Sequence, residues 1–374
     1  MKKLSNITFA AILLGGVQLL QTGCTDMEGD GIGSIEWGGS TNVGAVSYHN
    51  PVWEPSLEGG TLVVTSTNFV AIGGETQWAV GVDYCCPSIY SSTSMIWETN
   101  QQVSFTAANR PKWISGRINS LSVDYCTVSE EITVDDAETT VSASRYFMAY
   151  STDKDDAIGI ASSVSAQGPY VDHGCLLTAS SLGAGSLRDP FVMATDANEI
   201  YIGYTSSEGS YVQKIRIPYS VTSSNGIVFD AAALPKLDGE PVKVSSASFG
   251  NIAMFREAGR YFIFGDVDGE VRYATASSAT GPYRSGAGDL MSTNGDLFIQ
   301  AGTEYTAPSN VMRVIKSANG YWYVAYNACS VSQSTMPSGY DRRPMFLSPF
   351  QINGEKITSV IIPEEGWTSP RFDK

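Results

Sequence analysis

The sequence has little charge and almost no histidine. Only 16% of its 374 residues are charged, and His49 and His173 are the two histidines. So few histidines exclude a histidine-rich metal centre, and the cysteines lack the spacing of a zinc site, so we expect no metal and no cofactor. Acidic residues outnumber basic ones by 38 to 23, for a net charge of −15. Because so acidic a chain repels phosphate backbones, we expect no nucleic-acid partner.

Long apolar runs are also scarce, and the one present lies at the start of the chain. Lys2 and Lys3 precede an apolar segment from 7 to 20. The end of this segment belongs to the sequence LLQTGC, whose last residue is Cys24. This pattern resembles a bacterial lipoprotein signal, in which the cysteine is lipidated after cleavage. We therefore predict a signal peptide over 1–23 and lipidation of Cys24.

The acidic stretch TDMEGDG follows the predicted lipidation site. It resembles the export tag of Bacteroidetes-type surface lipoproteins. Residues 24–37 are interpreted as a flexible tether, and 38–374 as one folded domain. The resulting expectation is an exported protein, anchored by lipid in the bacterial outer membrane and exposed at the cell surface.

Five further cysteines leave at least one thiol unpaired in an exported protein. The tetrapeptide Val-Asp-Tyr-Cys occurs twice, at 82–85 and 123–126. A structural interpretation, which we favour, has Cys126 bonded to Cys85 or Cys86. A functional interpretation makes Asp83 and Asp124 a displaced pair of carboxylates near a pocket.

Abundant glycine, serine, threonine, tyrosine and valine favour strands and tight turns. Four aromatic hairpin segments recur about sixty residues apart, a period typical of large propeller blades: SRYFMAYSTD (144–153), DANEIYIGYTS (196–206), EAGRYFIFGDVD (257–268) and ANGYWYVAYNA (318–328). LEGGTLVVTSTN (57–68) is interpreted as a weaker fifth copy, with Gly-Gly as its turn. Gly-Pro-Tyr ends a small-residue strand twice, at 168–170 and 281–283. We therefore predict an all-β, five-bladed β-propeller rather than a two-sheet sandwich.

From about residue 49 to 349, the chain resembles glycoside hydrolase family 43, the five-bladed arabinanases and β-xylosidases. The segments that carry the resemblance are LRDPFV with its hairpin, LDGEPVKV (237–244), REAGRYFIF with the following TGPY, and DRRPMFLSPF (341–350). The resemblance implies a glycan site at the centre of the propeller.

Three acidic groups serve hydrolysis in that family: a general base in blade one, an auxiliary Asp in blade three and a general acid in blade four. Here the matching positions are Asn50, Asp189 and Gly250, and Ser309 stands where blade five carries histidine. An amide cannot accept a proton at neutral pH. One carboxylate of three is thus retained, and Asp189 is the auxiliary one. The blade-two motif is not recognisable in RPKWISGRINSL (110–121).

The candidate site follows from these matches and from nearby aromatic and basic side chains. Tryptophan faces stack on sugars, and the relatives carry basic residues near the site. The predicted substrate-binding residues are Asn50, Trp53, Trp113, Asp189, Asn251, Ser309, Asn310 and Arg343. Arg343 is a candidate ion-pair partner for Asp189.

Three functions are left open by the sequence. The favoured one is a surface lipoprotein that binds a plant-type or host oligosaccharide or polysaccharide, with degenerate catalytic carboxylates. The first alternative is an active, inverting hydrolase of arabinan or xylan type that pairs Asp189 with Glu54, Asp83 or Asp124. The second is an adaptor that binds a protein partner on the propeller.

Overall fold

The computed structural model describes residues 47–65, 68–91, 95–134, 137–222, 226–230, 233–317, 321–362 and 367–368. The predicted signal peptide, the tether and Cys24 lie outside the described residues. Among the described residues, no helix has the length and apolar character needed to cross a membrane.

The described chain is almost entirely strands, and most of them belong to five sheets that we call blades 1 to 5. Ahead of the blades lies β1 (Ser47–Tyr48). Blade 1 contains β2 (Thr61–Val64), β3 (Phe69–Ile72), β6 (Pro87–Ser91) and β7 (Glu98–Val103), with the inserted pair β4 (Thr76–Ala79) and β5 (Val82–Tyr84). Blade 2 contains β8 (Ile118–Val134), β9 (Ala137–Thr152), β10 (Ala157–Ser163) and β11 (Val171–Thr178), and the short helix α1 (Ala179–Leu182) follows it.

The remaining blades are built in the same antiparallel order. Blade 3 contains β12 (Leu187–Asp196), β13 (Glu199–Ser206), β14 (Gly209–Arg216) and β17 (Lys236–Lys243), with the inserted pair β15 (Tyr219–Thr222) and β16 (Gly226–Phe229). Blade 4 contains β18 (Gly250–Glu257), β19 (Arg260–Val267), β20 (Glu270–Ala276) and β23 (Asp296–Gln300), with the inserted pair β21 (Arg284–Ser285) and β22 (Gly288–Asp289). Blade 5 contains β24 (Tyr305–Lys316), β25 (Trp322–Ser330) and β26 (Met345–Phe350). The chain continues through β27 (Ile352–Asn353), β28 (Lys356–Ile357), β29 (Val360–Ile361) and β30 (Trp367–Thr368).

The first strands of the five blades surround a central channel. β2, β8, β12, β18 and β24 contact one another in cyclic order, with β24 returning to β2. This closed ring confirms the predicted five-bladed propeller. We call the end of the channel where these strands begin the upper end, and the end where they finish the lower end.

A segment from the start of the domain completes blade 5 and closes the ring. Val52 N donates to Met345 O at 2.8 Å, and Met345 N donates to Trp53 O at 3.0 Å, so residues 50–53 run alongside β26. A strand at a sheet edge leaves backbone groups unpaired, and this segment pairs them. The chain is thereby fastened to itself across nearly 300 residues.

Aromatic residues fill the spaces between blades, as their alternation in the sequence predicts. The four aromatic segments form β9, β13, β19 and β25, the second strand of each blade. The fifth copy is wrong by one strand: LEGGTLVV forms the first strand of blade 1, and the second strand is β3 (Phe69–Ile72). The aromatic pattern failed in blade 1 because the strands there are short and the second strand carries one aromatic residue.

The predicted disulfide is also wrong. Cys126 is a fully buried free thiol on β8, so it bonds neither Cys85 nor Cys86. Burial raises the pKa of the Cys126 thiol well above its ordinary value. The thiol packs as a small apolar side chain between blades 2 and 3.

Candidate functional site at the upper end of the channel

The first strands of blades 3, 4 and 5 share an irregularity near the upper end. Asp189, Asn251 and Asn310 have φ values of 50°, 49° and 51°, and each lies where the pairing register shifts. Asp and Asn adopt the left-handed region more readily than other residues with a side chain. Each of these three blades therefore turns one polar side chain out of the regular strand alternation, at an equivalent position of its first strand.

The backbone at each irregularity is held by a polar side chain from the second strand of the preceding blade. Asp189 N donates to Ser151 Oγ at 3.3 Å, and Asn251 N donates to Thr205 Oγ1 at 2.9 Å. At the third junction Asn310 N donates to Asp266 Oδ1 at 3.1 Å. A carboxylate thus occupies, between blades 4 and 5, the position that a hydroxyl occupies at the two preceding junctions.

Asp266 is the most perturbed acid of this set. Asn251 Nδ2 also donates to its Oδ2, at 2.8 Å. Burial raises the pKa of Asp266 to about 7, and the neighbouring Asp189 adds to the rise. The amide donors of Asn251 and Asn310 and the charge of Arg343 lower it in part. A carboxyl group that binds its proton near neutral pH can either donate or accept one.

Asp189 lies beside this network. Its Oδ2 accepts a hydrogen bond from Arg188 Nε at 3.1 Å, while 21% of its side chain stays exposed. Burial raises the pKa of Asp189, and Arg188 lowers it in part. Since Asp189 also raises the pKa of Asp266, the two carboxyl groups interact directly through their charges.

A second group of charges reaches the upper end from blades 1 and 5. Arg343 Nε lies 3.8 Å from Glu58 Oε1, and its Nη2 lies 3.6 Å from Asp341 Oδ2. Its Nη1 donates to Ser309 Oγ at 3.4 Å. Burial raises the pKa of Glu58, whereas Arg117 and Arg343 lower it. Arg343 therefore pairs with Glu58, while Asp189 has Arg188 as its partner.

Asn310 joins these two groups. Its Nδ2 donates to Gly60 O and to Asn327 Oδ1, both at 2.9 Å, so it links blade 5 to blade 1. Asn327 is fully buried and donates to the carbonyl oxygens of Arg343 and Pro344. Because Asn310 donates two hydrogen bonds from its Nδ2 and Asn327 is bonded through both its oxygen and its nitrogen, these side chains are held in one arrangement.

The structure brings five of the eight predicted substrate-binding residues to the upper end. Asn251 and Asn310 bond Asp266, Ser309 bonds Arg343, and Asp189 lies within the electrostatic reach of Asp266. Their role toward a substrate stays a prediction.

The other three predicted residues lie in packing positions. Asn50 Nδ2 donates to Leu347 O, and its Oδ1 accepts from Leu347 N, both at 2.9 Å. Trp53 packs on Trp78 with ring centroids 5.5 Å apart. Trp113 Nε1 donates to Tyr150 Oη at 3.1 Å. Each of these side chains thus has a partner within the protein, and a role in substrate binding stays a prediction for all three.

Of the acids considered as displaced catalytic groups, Glu54 and Asp124 are both held in ion pairs. Glu54 is ion-paired with Arg342 at 2.5 Å. Asp124 is buried near the lower end, where Arg313 Nη1 donates to it at 2.8 Å. The side chain of Asp83 lies outside the described part of the chain.

Glu58 and Asp266 are the site residues that the sequence did not predict. A signal for Asp266 is present in the aligned second strands, which read AYS, GYT, FGD and AYN up to residues 151, 205, 266 and 327. In blade 4 glycine replaces the tyrosine, and the Phe249 ring takes the space, 2.4 Å from where a Cβ of Gly265 would lie. The polar residue after it keeps its place at the channel.

Comparison with known proteins shows which solved structures share this fold. No family model matches the chain, and no curated protein matches it. An arabinanase of Bacillus subtilis superposes with a TM-score of 0.54 at 15% identity, over 82% of this chain and 96% of the other. A family 43 arabinoxylan arabinofuranohydrolase of Bacillus subtilis, in complex with cellotetraose, gives 0.56 at 16% identity, over 83% and 67%. An α-L-arabinanase of Cellvibrio cellulosa, in complex with arabinohexaose, gives 0.55 at 12%, over 84% and 95%.

At these identities the similarity establishes the architecture. The chain has the five-bladed propeller fold seen in family 43 glycoside hydrolases, as the sequence resemblance predicted.

Proposed function

We propose that the upper end of the channel binds a neutral oligosaccharide. The observation that carries the proposal is the row of polar residues in left-handed conformation, Asp189, Asn251 and Asn310, each fixed by a hydrogen bond to the preceding blade. Amide and carboxylate groups that converge on a concave site are suited to the hydroxyl groups of a sugar. The solved structures with arabinohexaose and cellotetraose place such ligands on proteins of this fold.

Binding without hydrolysis is favoured because the acids at the upper end are already engaged. Asp189 is paired with Arg188, Glu58 faces Arg343, and Asp266 accepts bonds from Asn251 and Asn310. Inverting hydrolysis needs one protonated and one ionised carboxyl group on opposite sides of the sugar bond. The row of first-strand positions supplies a single carboxylate.

Hydrolysis is the second candidate, and one observation favours it. Asp189 and Asp266 both have a raised pKa and interact with each other, an arrangement that separates an acid from a base. In that case Asp266 would protonate the leaving oxygen, and Asp189 would take a proton from water.

The two candidates are separated by titration and product analysis with arabinohexaose, xylohexaose and cellotetraose. We expect heat of binding and no released sugar. Asp189→Asn keeps the shape and the left-handed conformation but removes the charge, and we expect affinity to fall about tenfold. Asp268→Asn, in the exposed turn after β19 with φ 51°, is the matched control.

Each other outcome has a definite meaning. Release of sugar that is lost in Asp266→Asn would establish hydrolysis. Absence of binding to all three oligosaccharides would contradict both candidates and favour a protein partner.

The predicted lipoprotein signal over 1–23 supports our further proposal that this site is displayed outside the cell, on a lipid anchor at Cys24.

A further inference from the structure

A second cavity lies at the lower end of the channel and reaches up to the residues that follow the row of polar residues, so it borders the proposed sugar site without sharing a residue with it. It has a volume of about 460 Å³, within the range of small-molecule sites. Its deep part is apolar and includes Phe191 and Met193, both buried. Phe255 and Trp322 form one wall, with ring centroids 5.5 Å apart. A flat apolar group would be enclosed by these side chains.

The acids in the wall have their oxygens occupied. Asp124 accepts three hydrogen bonds, from Arg313 Nη1 at 2.8 Å, Ala194 N at 2.8 Å and Tyr125 N at 2.9 Å. Glu257 accepts from Lys316 Nζ at 2.6 Å. A ligand anion would therefore meet acids whose charge is already compensated.

The arginines in the wall use few of their hydrogen-bond donors within the protein. Among the described residues Arg313 donates one hydrogen bond, to Asp124, and Arg256 donates one, to Asp196 at 2.6 Å. A guanidinium carries five N–H donors. Arg313 is 32% and Arg256 38% exposed in the side chain, and Arg256 also stacks on the Tyr261 ring, 5.6 Å from its centroid. Carboxylate is a small, singly charged group that guanidinium can bind through two parallel bonds.

We propose that the lower-end cavity binds a small aromatic carboxylate. The aromatic ring occupies the apolar part beside Phe255 and Trp322, and the carboxylate meets Arg256 and Arg313 at the mouth. A monoanion suits the site better than a polyanion, because the whole chain carries a net charge of −15. This site is separate from the proposed sugar site and does not depend on it.

The test is calorimetric titration, with ligand-observed NMR, using 3-phenylpropanoate, its neutral analogue 3-phenylpropan-1-ol, and propanoate. We expect 3-phenylpropanoate to bind, the alcohol to bind at least tenfold more weakly, and propanoate to bind more weakly still. Arg256→Gln should weaken 3-phenylpropanoate about tenfold, the loss of one charge-assisted hydrogen bond.

Arg260→Gln is the matched control. Arg260 lies on the same hairpin, is similarly exposed and is also ion-paired, to Glu355, but it does not line the cavity. Its variant should bind 3-phenylpropanoate like the wild type. Equal affinity for the acid and the alcohol, equal loss in both arginine variants, or no binding up to about 10 mM would overturn the proposal.

Discussion

Asp266 occupies a position that is filled by serine at Ser151 and threonine at Thr205 in the two preceding blades. A hydroxyl can hold the neighbouring backbone N–H without a charge, whereas a carboxylate there must be desolvated. Burial and the nearby Asp189 make the ionised form costly, which is why the pKa of Asp266 rises to about 7. Ionisable groups that are energetically costly to bury, such as Asp266 at this repeated position, often belong to functional sites.

This cost gives the stability of the protein a defined pH dependence. Because the folded-state pKa is raised, the folded protein holds the Asp266 proton more tightly than the unfolded chain does. The contribution is absent below the ordinary carboxyl pKa of about 4, grows more destabilising as pH rises from about 4 to about 7, and levels off above about 7. We expect Asp266→Asn to gain about 1–4 kcal/mol relative to wild type between pH 4 and pH 8.

Urea unfolding of both proteins at pH 4, 6 and 8 measures this difference. Asp268→Asn, two residues away in an exposed turn, controls for removing one negative charge. A gap between wild type and Asp266→Asn that stays constant with pH would contradict the assignment.

At the scale of strands, the aromatic pattern in the sequence predicted the second strands of blades 2 to 5, but it did not predict the second strand of blade 1 or mark the first strands. Alternating aromatics mark β9, β13, β19 and β25, because these strands are covered on both faces by neighbouring blades. The first strands lack so regular a signal, and those of blades 3, 4 and 5 are each interrupted by a left-handed residue. Asn251 and Asn310 were found from the family resemblance, whereas Asp266 faces Gly250 from the neighbouring strand of blade 4 and Glu58 meets Arg343 through the closure of the ring.

The segment beside β26 provides an element-scale prediction. Asn50 makes two hydrogen bonds to the backbone of Leu347, and Tyr48 Oη donates to the same carbonyl oxygen at 2.7 Å. We expect Asn50→Ala to lower the free energy of unfolding by about 1–3 kcal/mol, because a buried backbone group loses its partner. Affinity for an oligosaccharide should stay within twofold of wild type.

Asn50→Asp distinguishes the contributions of the two hydrogen bonds to stability, since aspartate keeps the acceptor oxygen and loses the N–H donor. Chemical unfolding and sugar titration on the same samples measure both effects. If Asn50→Ala kept full stability and lost sugar binding, Asn50 would be a ligand contact rather than part of the closure.

At the scale of the whole molecule, the two ends of one channel differ in character. The upper end presents amides and carboxyl groups fixed between blades, and the lower end presents an apolar cavity with ion pairs at its mouth. The difference arises because the first strands of blades 3, 4 and 5 each pass from a polar left-handed residue to an apolar one, namely Phe191, Ala253 and Val311. The fold thus separates two kinds of surface within a single ring.

The central claim, that the upper end binds neutral oligosaccharide, is tested most directly by locating the ligand. Amide signals of isotopically labelled protein are followed by NMR during titration with arabinohexaose. We predict that the largest shifts fall on Asp189, Asn251 and Asn310, while Glu257 and Lys316 at the lower end stay unchanged. Shifts confined to the lower end or the outer strands, or no shifts at millimolar sugar, would contradict the account.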